Sequence, residues 1–213
     1  MQLLNHKKFN LFEKKALDTV YSESAGGFHD ELIPDLVQKF LPKFNLDPQC
    51  KILDIGCGPG MFIKSAKALG YNNVTGVTLS TEDVDACILQ GFTAINASMT
   101  DLPIKDASVD FIWCRHALEH SPYPLFTLFE FQRVLKPGGQ IFIEVPAPDN
   151  ERAYMHEYNP NHYSILGSRM WHSLFSKAGF NLFADWIYDI NIPLDNKIFA
   201  EKSFMFALKI AEI

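Results

Sequence analysis

The sequence has 213 residues, a formal net charge of −6 and a hydrophobic fraction of 47%. This length predicts one domain, and this hydrophobic fraction argues against intrinsic disorder. The acidic balance disfavours a broad surface for nucleic acid. Because the sequence contains no run of about 18 apolar residues, we expect no membrane span. The oligomeric state stays open, with a homodimer as one alternative.

The four cysteines form no C-x-x-C pair; they are Cys50, Cys57, Cys87 and Cys114. This spacing disfavours a zinc site or a disulfide framework and favours a reducing compartment. The first residues of the chain lack the apolar stretch that is typical of a secretory signal. We therefore expect a cytoplasmic protein.

Residues 1–45 predict an N-terminal helical segment, and residues 46–213 predict a single globular unit. Apolar residues recur at helical spacing between positions 28 and 44. One interpretation is a helix that packs on a sheet. The alternative is a lid in which Tyr21, Phe28 and His29 close over a ligand.

From residue 50 onward, strand and helix patterns alternate. The predicted strands cover residues 51–55, 73–77, 92–95, 109–113 and 140–145, and the predicted helices cover residues 61–69, 81–90 and 125–135. This alternation predicts an α/β fold with a parallel sheet and helices on both faces. After a loop at 146–166, a helix at 168–178 and two strands at 180–190 and 202–210 predict an antiparallel hairpin. The expected architecture is a doubly wound, seven-stranded sheet.

The strongest chemical signal is a glycine-rich turn between the first strand and the helix that follows it, where residues 54–60 read DIGCGPG. Ligands bind outside the carboxyl ends of such strands, and glycines let the backbone approach them closely. The spacing differs from the dinucleotide fingerprint G-x-G-x-x-G, and no G-x-x-x-x-G-K-[ST] loop occurs. The acidic Asp54 before the glycines suits a ligand that carries a cationic group.

Residues 52–60, ILDIGCGPG, resemble the first motif of class I S-adenosylmethionine-dependent methyltransferases. The resemblance continues in order through the segments 74–80, 101–104, 108–112, 116–120 and 133–139, and it is strongest to the small-molecule, type 11-like subgroup. It implies a Rossmann-like fold and S-adenosylmethionine as the cofactor. It also implies transfer of the methyl group by direct displacement to a small-molecule, sugar or lipid-like acceptor.

The resemblance further implies the residues that bind the cofactor: Asp54, Gly56, Cys57, Gly58, Gly60, Thr78, Leu79, Ser98, Met99 and Arg115. Two of these depart from the family's pattern. Thr78 stands where an acidic residue often binds both ribose hydroxyls, so Glu82 or Asp83 is an alternative partner. Ser98 stands where an aspartate often accepts a hydrogen bond from the adenine amino group.

His116 follows the fourth strand, where the transferred methyl group is expected. An imidazole with an ordinary pKa of about 6.5 suits a general base at neutral pH, so His116 is the candidate catalytic base. The alternative is a histidine at a helix start that Glu119 holds in place. We expect Glu119 and His120 to be structural.

Aromatic and polar residues of the 146–166 loop, with two positions outside it, predict the acceptor site. The candidate substrate residues are Tyr21, Glu144, His156, His162 and Tyr163. Glu144 ends the fifth strand on the ligand side, and an ion pair with Arg115 or Arg152 is its alternative role. Because His156, Glu157 and His162 match no standard ligand spacing, no metal site is expected.

Two other functions of the same fold stay open: an RNA or protein methyltransferase, and a non-catalytic scaffold that binds the cofactor. The net charge of −6 counts against the first. No Asn/Asp-Pro-Pro-Tyr/Phe sequence follows the fourth strand, which disfavours methylators of base nitrogens and of glutamine. The uncharged Thr78 and Ser98 keep the second open, although Asp54 and an intact glycine turn count against it.

Overall fold

The computed structural model describes residues 6–16, 28–148, 161–194 and 197–211. Its centre is a sheet with the strands β1 Ile52–Ile55, β2 Val74–Thr78, β3 Thr93–Asn96, β4 Val109–Arg115, β5 Leu135–Pro146, β6 Phe180–Leu194 and β7 Lys197–Ile210. The strand order is β3-β2-β1-β4-β5-β7-β6. Strands β1 to β5 are parallel, and β7 is antiparallel to both of its neighbours. The predicted fold, a seven-stranded and mostly parallel sheet with an antiparallel hairpin, is confirmed.

Helices cover both faces of this sheet. They are α1 His6–Ala16, α2 Phe28–Phe40, α3 Met61–Ala68, α4 Thr81–Leu89, α5 Pro124–Val134 and α6 Ser168–Lys177, and short 3-10 turns cover Leu41–Phe44 and Leu118–His120. Helix α4 begins where the sequence predicts, because Oγ of Ser80 accepts a hydrogen bond from the backbone N–H of Asp83 at 3.1 Å. A serine in this position satisfies an amide that the helix itself leaves unpaired.

Two buried clusters of apolar side chains hold the helices to the sheet. Ile52 points to the face that α2 and α3 cover, where Phe62 belongs to the same cluster. Leu53 points to the other face, where Phe131 of α5 and Trp171 of α6 are fully buried. Neighbouring strand residues point to opposite faces, so a strand that is buried on both sides is apolar throughout.

The strand order reverses between β1 and β4, because β2 and β3 lie on one side of β1 and β5 lies beyond β4. In open α/β sheets, ligands bind in the crevice outside the carboxyl ends of the strands at such a reversal. Here β1 ends at Ile55 and β4 ends at Arg115. Gly56 and His116, which come next in the chain, are therefore placed at this crevice.

Two elements are longer than the sequence predicts. Strand β5 begins at Leu135, because this residue pairs with Val109 before the register shifts. The hairpin of β6 and β7 continues past the pair Pro193 and Ile198 to the pair Leu194 and Lys197. A proline is tolerated there because β6 is the edge strand and needs no donor on its outer side.

The N-terminal segment agrees with the packed interpretation as far as α2 is concerned, since Leu36, Val37 and Phe40 are buried against the sheet. Tyr21, which the lid alternative needs, lies outside the described residues. Across the described ranges, no helix is long and apolar enough to cross a membrane.

Candidate active site

A cavity lies at the reversal point, beyond the carboxyl ends of the central strands. Its volume is about 860 Å³ when the space at its open mouth is included. The glycine-rich turn forms one part of its wall with Gly56 and Gly58, and His116, His120 and Tyr163 form another.

The glycine-rich turn offers backbone instead of side chains to the cavity. Gly56 and Gly58 have φ angles of +72° and +48°, in the left-handed region that side chains rarely adopt. A Cβ atom at Gly56 would lie 2.7 Å from Cβ of Ala117, which also lines the cavity. The backbone N–H of Gly56 donates to the carbonyl of Val77 at 2.9 Å and ties the turn to β2. We call residues 56–58 the glycine cradle.

The end of β2 and the start of α4 supply the polar part of this wall. Oγ1 of Thr78 accepts a hydrogen bond from the N–H of Ser80 at 3.2 Å. Asp83 lines the cavity although it is only 4% exposed. Glu82 accepts hydrogen bonds from the hydroxyls of Ser80 and Thr81 instead. Of the two acidic alternatives for the ribose, Asp83 is therefore the one at the cavity.

Five of the predicted cofactor residues line the cavity together: Gly56, Gly58, Thr78, Leu79 and Met99. Five do not: Asp54, Cys57, Gly60, Ser98 and Arg115. Asp54 is buried in β1, directly before the cradle. The other four residues, Cys57, Gly60, Ser98 and Arg115, make contacts within the fold.

Three of the predicted cofactor residues, Cys57, Gly60 and Ser98, make contacts within the fold. The thiol of Cys57 points into the core, where a Cβ atom on Gly76 would lie 2.7 Å from its Sγ. Gly60 has a φ of +93° at the start of α3, and a Cβ there would lie 2.8 Å from the ring of Phe92. Oγ of Ser98 lies 2.6 Å from Oγ1 of Thr100. These three residues do not line the cavity, and their roles in cofactor binding stay predictions.

Arg115 belongs to a network of charged side chains between the ends of β4 and β5. Its Nε lies 2.8 Å from Oε2 of Glu144, which is fully buried. His116 lies between two carboxylates, with Nδ1 at 3.3 Å from Glu119 and Nε2 at 3.3 Å from Glu144. Oγ of Ser203 lies 3.3 Å from the same Nε2. Arg115 is therefore a partner of Glu144, as the sequence alternative has it, and does not line the cavity.

This network shifts the pKa values of its members. Burial lowers the pKa of His116, but hydrogen bonds to Glu119 and Glu144 outweigh this effect and raise the pKa to about 9. Burial raises the pKa of Glu144, but Arg115 and His116 outweigh it and lower the pKa to about 2. The network thus holds paired charges at neutral pH.

The expectation that His116 acts as a general base meets an obstacle in this geometry. Each ring nitrogen lies 3.3 Å from a carboxylate oxygen, and with a pKa of about 9 the ring is protonated at neutral pH, so neither nitrogen offers a lone pair to an acceptor in the cavity. The residue also has a φ of +46°, a strained conformation that persists only when its surroundings impose it. Its N–H donates to the carbonyl of Glu144 at 2.9 Å. The base role stays a prediction, and the contacts favour positioning.

The loop of residues 161–164 reaches the cavity because hydrogen bonds hold it to Glu119. The N–H groups of Tyr163 and Ser164 donate to the carbonyl of Glu119 at 2.8 and 3.1 Å. Tyr163 lines the cavity, and His162 packs against His120 with ring centroids 4.6 Å apart. Of the predicted substrate residues, the structure brings these two to the site.

The other predicted substrate residues are placed differently. Glu144 is buried behind His116 and does not line the cavity. Tyr21 and His156 lie outside the described residues, so their roles stay predictions.

Helix α1 adds a wall that no sequence signal indicated. Ala16 lines the cavity, and the hydroxyl of Tyr163 donates to its carbonyl at 2.7 Å. Oε1 of Glu13 accepts hydrogen bonds from the hydroxyls of Tyr123 and Thr100 at 2.8 and 3.0 Å. The docking of α1 thus combines long-range hydrogen bonds with ring contacts, since Phe9 packs against Tyr123 and Phe126.

Sequence reasoning missed several cavity residues, among them Ala16, Ala97, Ala117 and Asn161. Alanines and backbone atoms carry no chemical pattern that could have pointed to them. His120 did carry a signal, the acidic and imidazole pair at positions 119 and 120, which we interpreted as structural.

The fold and the cavity together define an α/β domain with an open cavity at a glycine cradle, beyond the carboxyl ends of its central strands. Residues 53–143 match the family model described as a methyltransferase domain. Over these residues the chain is similar to S-adenosylmethionine-dependent methyltransferases, and the cofactor that this similarity implies is S-adenosylmethionine. The residues fit this group, because Gly56 and Gly58 bring backbone without side chains to the cavity wall, and because the oxygen-bearing side chains of Thr78 and Asp83 line the same cavity.

Two curated relatives show the same relationship. The chain is 32% identical over 125 residues to the ubiquinone biosynthesis O-methyltransferase of Aromatoleum aromaticum, which is 55% of this chain and 50% of that one. It is 36% identical over 102 residues to the malonyl-[acyl-carrier protein] O-methyltransferase of Erwinia billingiae, which is 47% of this chain and 40% of that one. The matched region thus spans about half or less of these relatives.

Solved structures share the fold. The crystal structure of a SAM-dependent methyltransferase from Archaeoglobus fulgidus superimposes with a TM-score of 0.69 at 18% sequence identity. The match covers 94% of this chain and 99% of that one, so the fold extends beyond the region of sequence similarity.

Proposed function

We propose that this protein transfers a methyl group from S-adenosylmethionine to an oxygen atom of a small-molecule acceptor, of which sugar and lipid-like molecules are two classes. The observation that carries the proposal is one cavity that joins the glycine cradle to His116, His120 and Tyr163. A cofactor on the cradle and an acceptor beside these side chains would share a single space.

The cofactor end of the cavity binds and orients. The cradle supplies close backbone approach at Gly56 and Gly58, and Asp83 and Thr78 supply acceptors for the ribose hydroxyls. S-adenosylmethionine supplies an activated methyl group when it is bound. The protein's own task is to align the acceptor with that group and to exclude water.

The acceptor end is held rigid by the buried charges behind it. His116 bridges Glu119 and Glu144, and the Arg115 ion pair fixes Glu144 in turn. We assign His116 a positioning role, because its ring is clamped from both sides. The walls that remain for the acceptor are the rings of His120 and Tyr163 and the chain at Asn161.

Small-molecule acceptors are supported by the relatives and by the shape of the site. The two curated relatives above are O-methyltransferases by name, one for ubiquinone biosynthesis and one for a malonyl group on acyl-carrier protein. Helix α1 and the loop of residues 161–164 narrow the mouth. The net charge of −6 disfavours a nucleic acid substrate. The four free cysteines support a cytoplasmic location, where thiols stay reduced.

The test has two stages. Calorimetry should show that S-adenosylhomocysteine binds and that NAD does not bind with comparable affinity. The protein is then incubated with S-adenosylmethionine carrying a labelled methyl group and with a whole-cell extract, and the labelled products are separated into small molecules, RNA and protein. Binding of NAD without binding of S-adenosylhomocysteine, or label that appears only in RNA or protein, would contradict the proposal.

A further inference from the structure

Three side chains at the acceptor end form a cluster to which the proposed methyl transfer assigns no joint role. They are Glu119, His120 and His162, and their ligand-type atoms all lie within 4.8 Å of one another. Glu119 is fully buried, and His120 lines the cavity. A carboxylate with two imidazoles is a common ligand set for divalent metal ions.

The backbone holds the two halves of this cluster together. Residues Glu119 and His120 lie in the 3-10 turn after β4, and His162 comes from a loop more than 40 positions later. The N–H groups of Tyr163 and Ser164 donate to the carbonyl of Glu119 itself. Sequence spacing alone therefore gives no hint of the site, although its geometry is fixed by hydrogen bonds.

The ring of His120 is oriented for an ion. Its Nδ1 lies 2.8 Å from the carbonyl oxygen of Asn161, so this nitrogen carries the proton and Nε2 is the one with a lone pair. Histidines that bind metals commonly donate their other N–H to a backbone carbonyl in this way. The carbonyl belongs to the residue before His162, which ties the orientation of one imidazole to the position of the other.

One oxygen of the Glu119 carboxylate is in a position to coordinate an ion. Oε1 faces Nδ1 of His116 at 3.3 Å, and Oε2 accepts no hydrogen bond within the described part of the chain. A buried carboxylate in this state favours a cationic partner. An ion can therefore take one oxygen while His116 keeps the other.

From this geometry we propose that Glu119, His120 and His162 bind a divalent metal ion such as Zn²⁺, Co²⁺ or Mn²⁺ at the acceptor end of the cavity. A tetrahedral ion at about 2.0–2.1 Å from its ligands needs ligand atoms about 3.3 Å apart, so shifts of about 1 Å complete the site. Three protein ligands leave a coordination position open toward an acceptor oxygen. This last role rests on the proposed function; ion binding itself does not.

Cobalt is the probe for the site, because Co²⁺ bound by histidine and carboxylate absorbs visible light. The full chain, freed of any affinity tag and treated with a chelator, is titrated with Co²⁺ by absorption and with Zn²⁺ by calorimetry. We expect one ion per chain. The variants His120→Asn and His162→Asn should each weaken binding at least tenfold, and the control His172→Asn, a histidine that pairs with Asp185 elsewhere, should leave it unchanged.

Circular dichroism shows whether each variant folds, and S-adenosylhomocysteine binding is measured on the same samples. Absence of Co²⁺ absorption and of Zn²⁺ heat, or binding that persists in folded His162→Asn, overturns the metal site. Binding of S-adenosylhomocysteine without metal binding refutes only the metal site. Metal binding without S-adenosylhomocysteine binding supports the metal site and refutes the proposed function.

Discussion

At the β1–β2 end of the cavity the wall is backbone and small side chains, whereas the β4–β5 end rests on buried charges. Gly56 and Gly58 bring backbone with a positive φ and no side chain to the cavity wall. Arg115 and Glu144 act through an ion pair that the fold shields from water. The first end tolerates changes of charge better than changes of volume, and the second end has the opposite sensitivity.

The largest loss of stability is expected at the charged β4–β5 end of the cavity. Replacing Arg115 with Met leaves Glu144 buried without its main cation, which should lower the free energy of unfolding by about 3–5 kcal/mol. The matched control is Lys136→Met, which removes a partly exposed pair with Asp110 and should cost less than about 1 kcal/mol. Urea unfolding of both variants measures the difference. Equal losses would remove the distinction between a buried and an exposed pair.

The same end should also be the acid-sensitive one. The pKa of Glu144 is lowered from 4.5 to about 2 in the fold, so its stabilisation is present above pH 4.5 and is lost as the pH falls towards 2. The shift corresponds to about 3 kcal/mol. We expect unfolding free energies of the parent and of Glu144→Gln to differ most near pH 6 and to converge near pH 2–3. A constant difference across this range would contradict the assignment.

At the glycine cradle, added side-chain volume should weaken cofactor binding. Gly58→Val places a branched side chain at the cavity wall and should weaken S-adenosylhomocysteine binding about 100-fold, from overpacking of about 3 kcal/mol. Gly91→Val is the control, because Gly91 also has a positive φ but a Cβ there meets nothing within 4 Å. Calorimetry on both folded variants separates blocked space from backbone strain. A comparable loss of affinity in Gly58→Val and Gly91→Val would contradict the assignment of the glycine cradle to cofactor binding.

The smallest effect is expected at the ribose acceptors. Asp83→Asn should weaken S-adenosylhomocysteine binding about tenfold, because a hydrogen bond to a charged acceptor is about 1.4 kcal/mol stronger than one to an amide. Glu82→Gln, one position earlier, should change affinity less than twofold, since Glu82 bonds to Ser80 and Thr81. If Glu82→Gln has the larger effect, the other acidic alternative is the ribose partner.

The sequence predicts the cradle well because glycine spacing, strand ends and an N-cap serine are local signals. Gly56, Gly58 and Thr78 lie where the motif implies. The fold follows from the same kind of signal, since alternating strands and helices permit few arrangements.

The charged end is less predictable because its partners come from distant positions. Glu144 lies beside Arg115 on the neighbouring strand, and His162 reaches His120 through a loop. Local spacing made His116 look like a base, and only the positions of two carboxylates around its ring show that both nitrogens are engaged. Cys57 illustrates the same limit, since a place in the motif does not decide which way a side chain points.

The hydrogen bond from Tyr163 to Ala16 joins residues 147 positions apart. During synthesis the cradle is complete about 100 residues before Tyr163 leaves the ribosome, so the wall that this bond makes is among the last parts to form. Contacts of such long sequence separation slow folding. The matched stretch of residues 53–143 contains the cradle and neither partner of this bond. A fragment cut to those limits therefore lacks one side of the cavity.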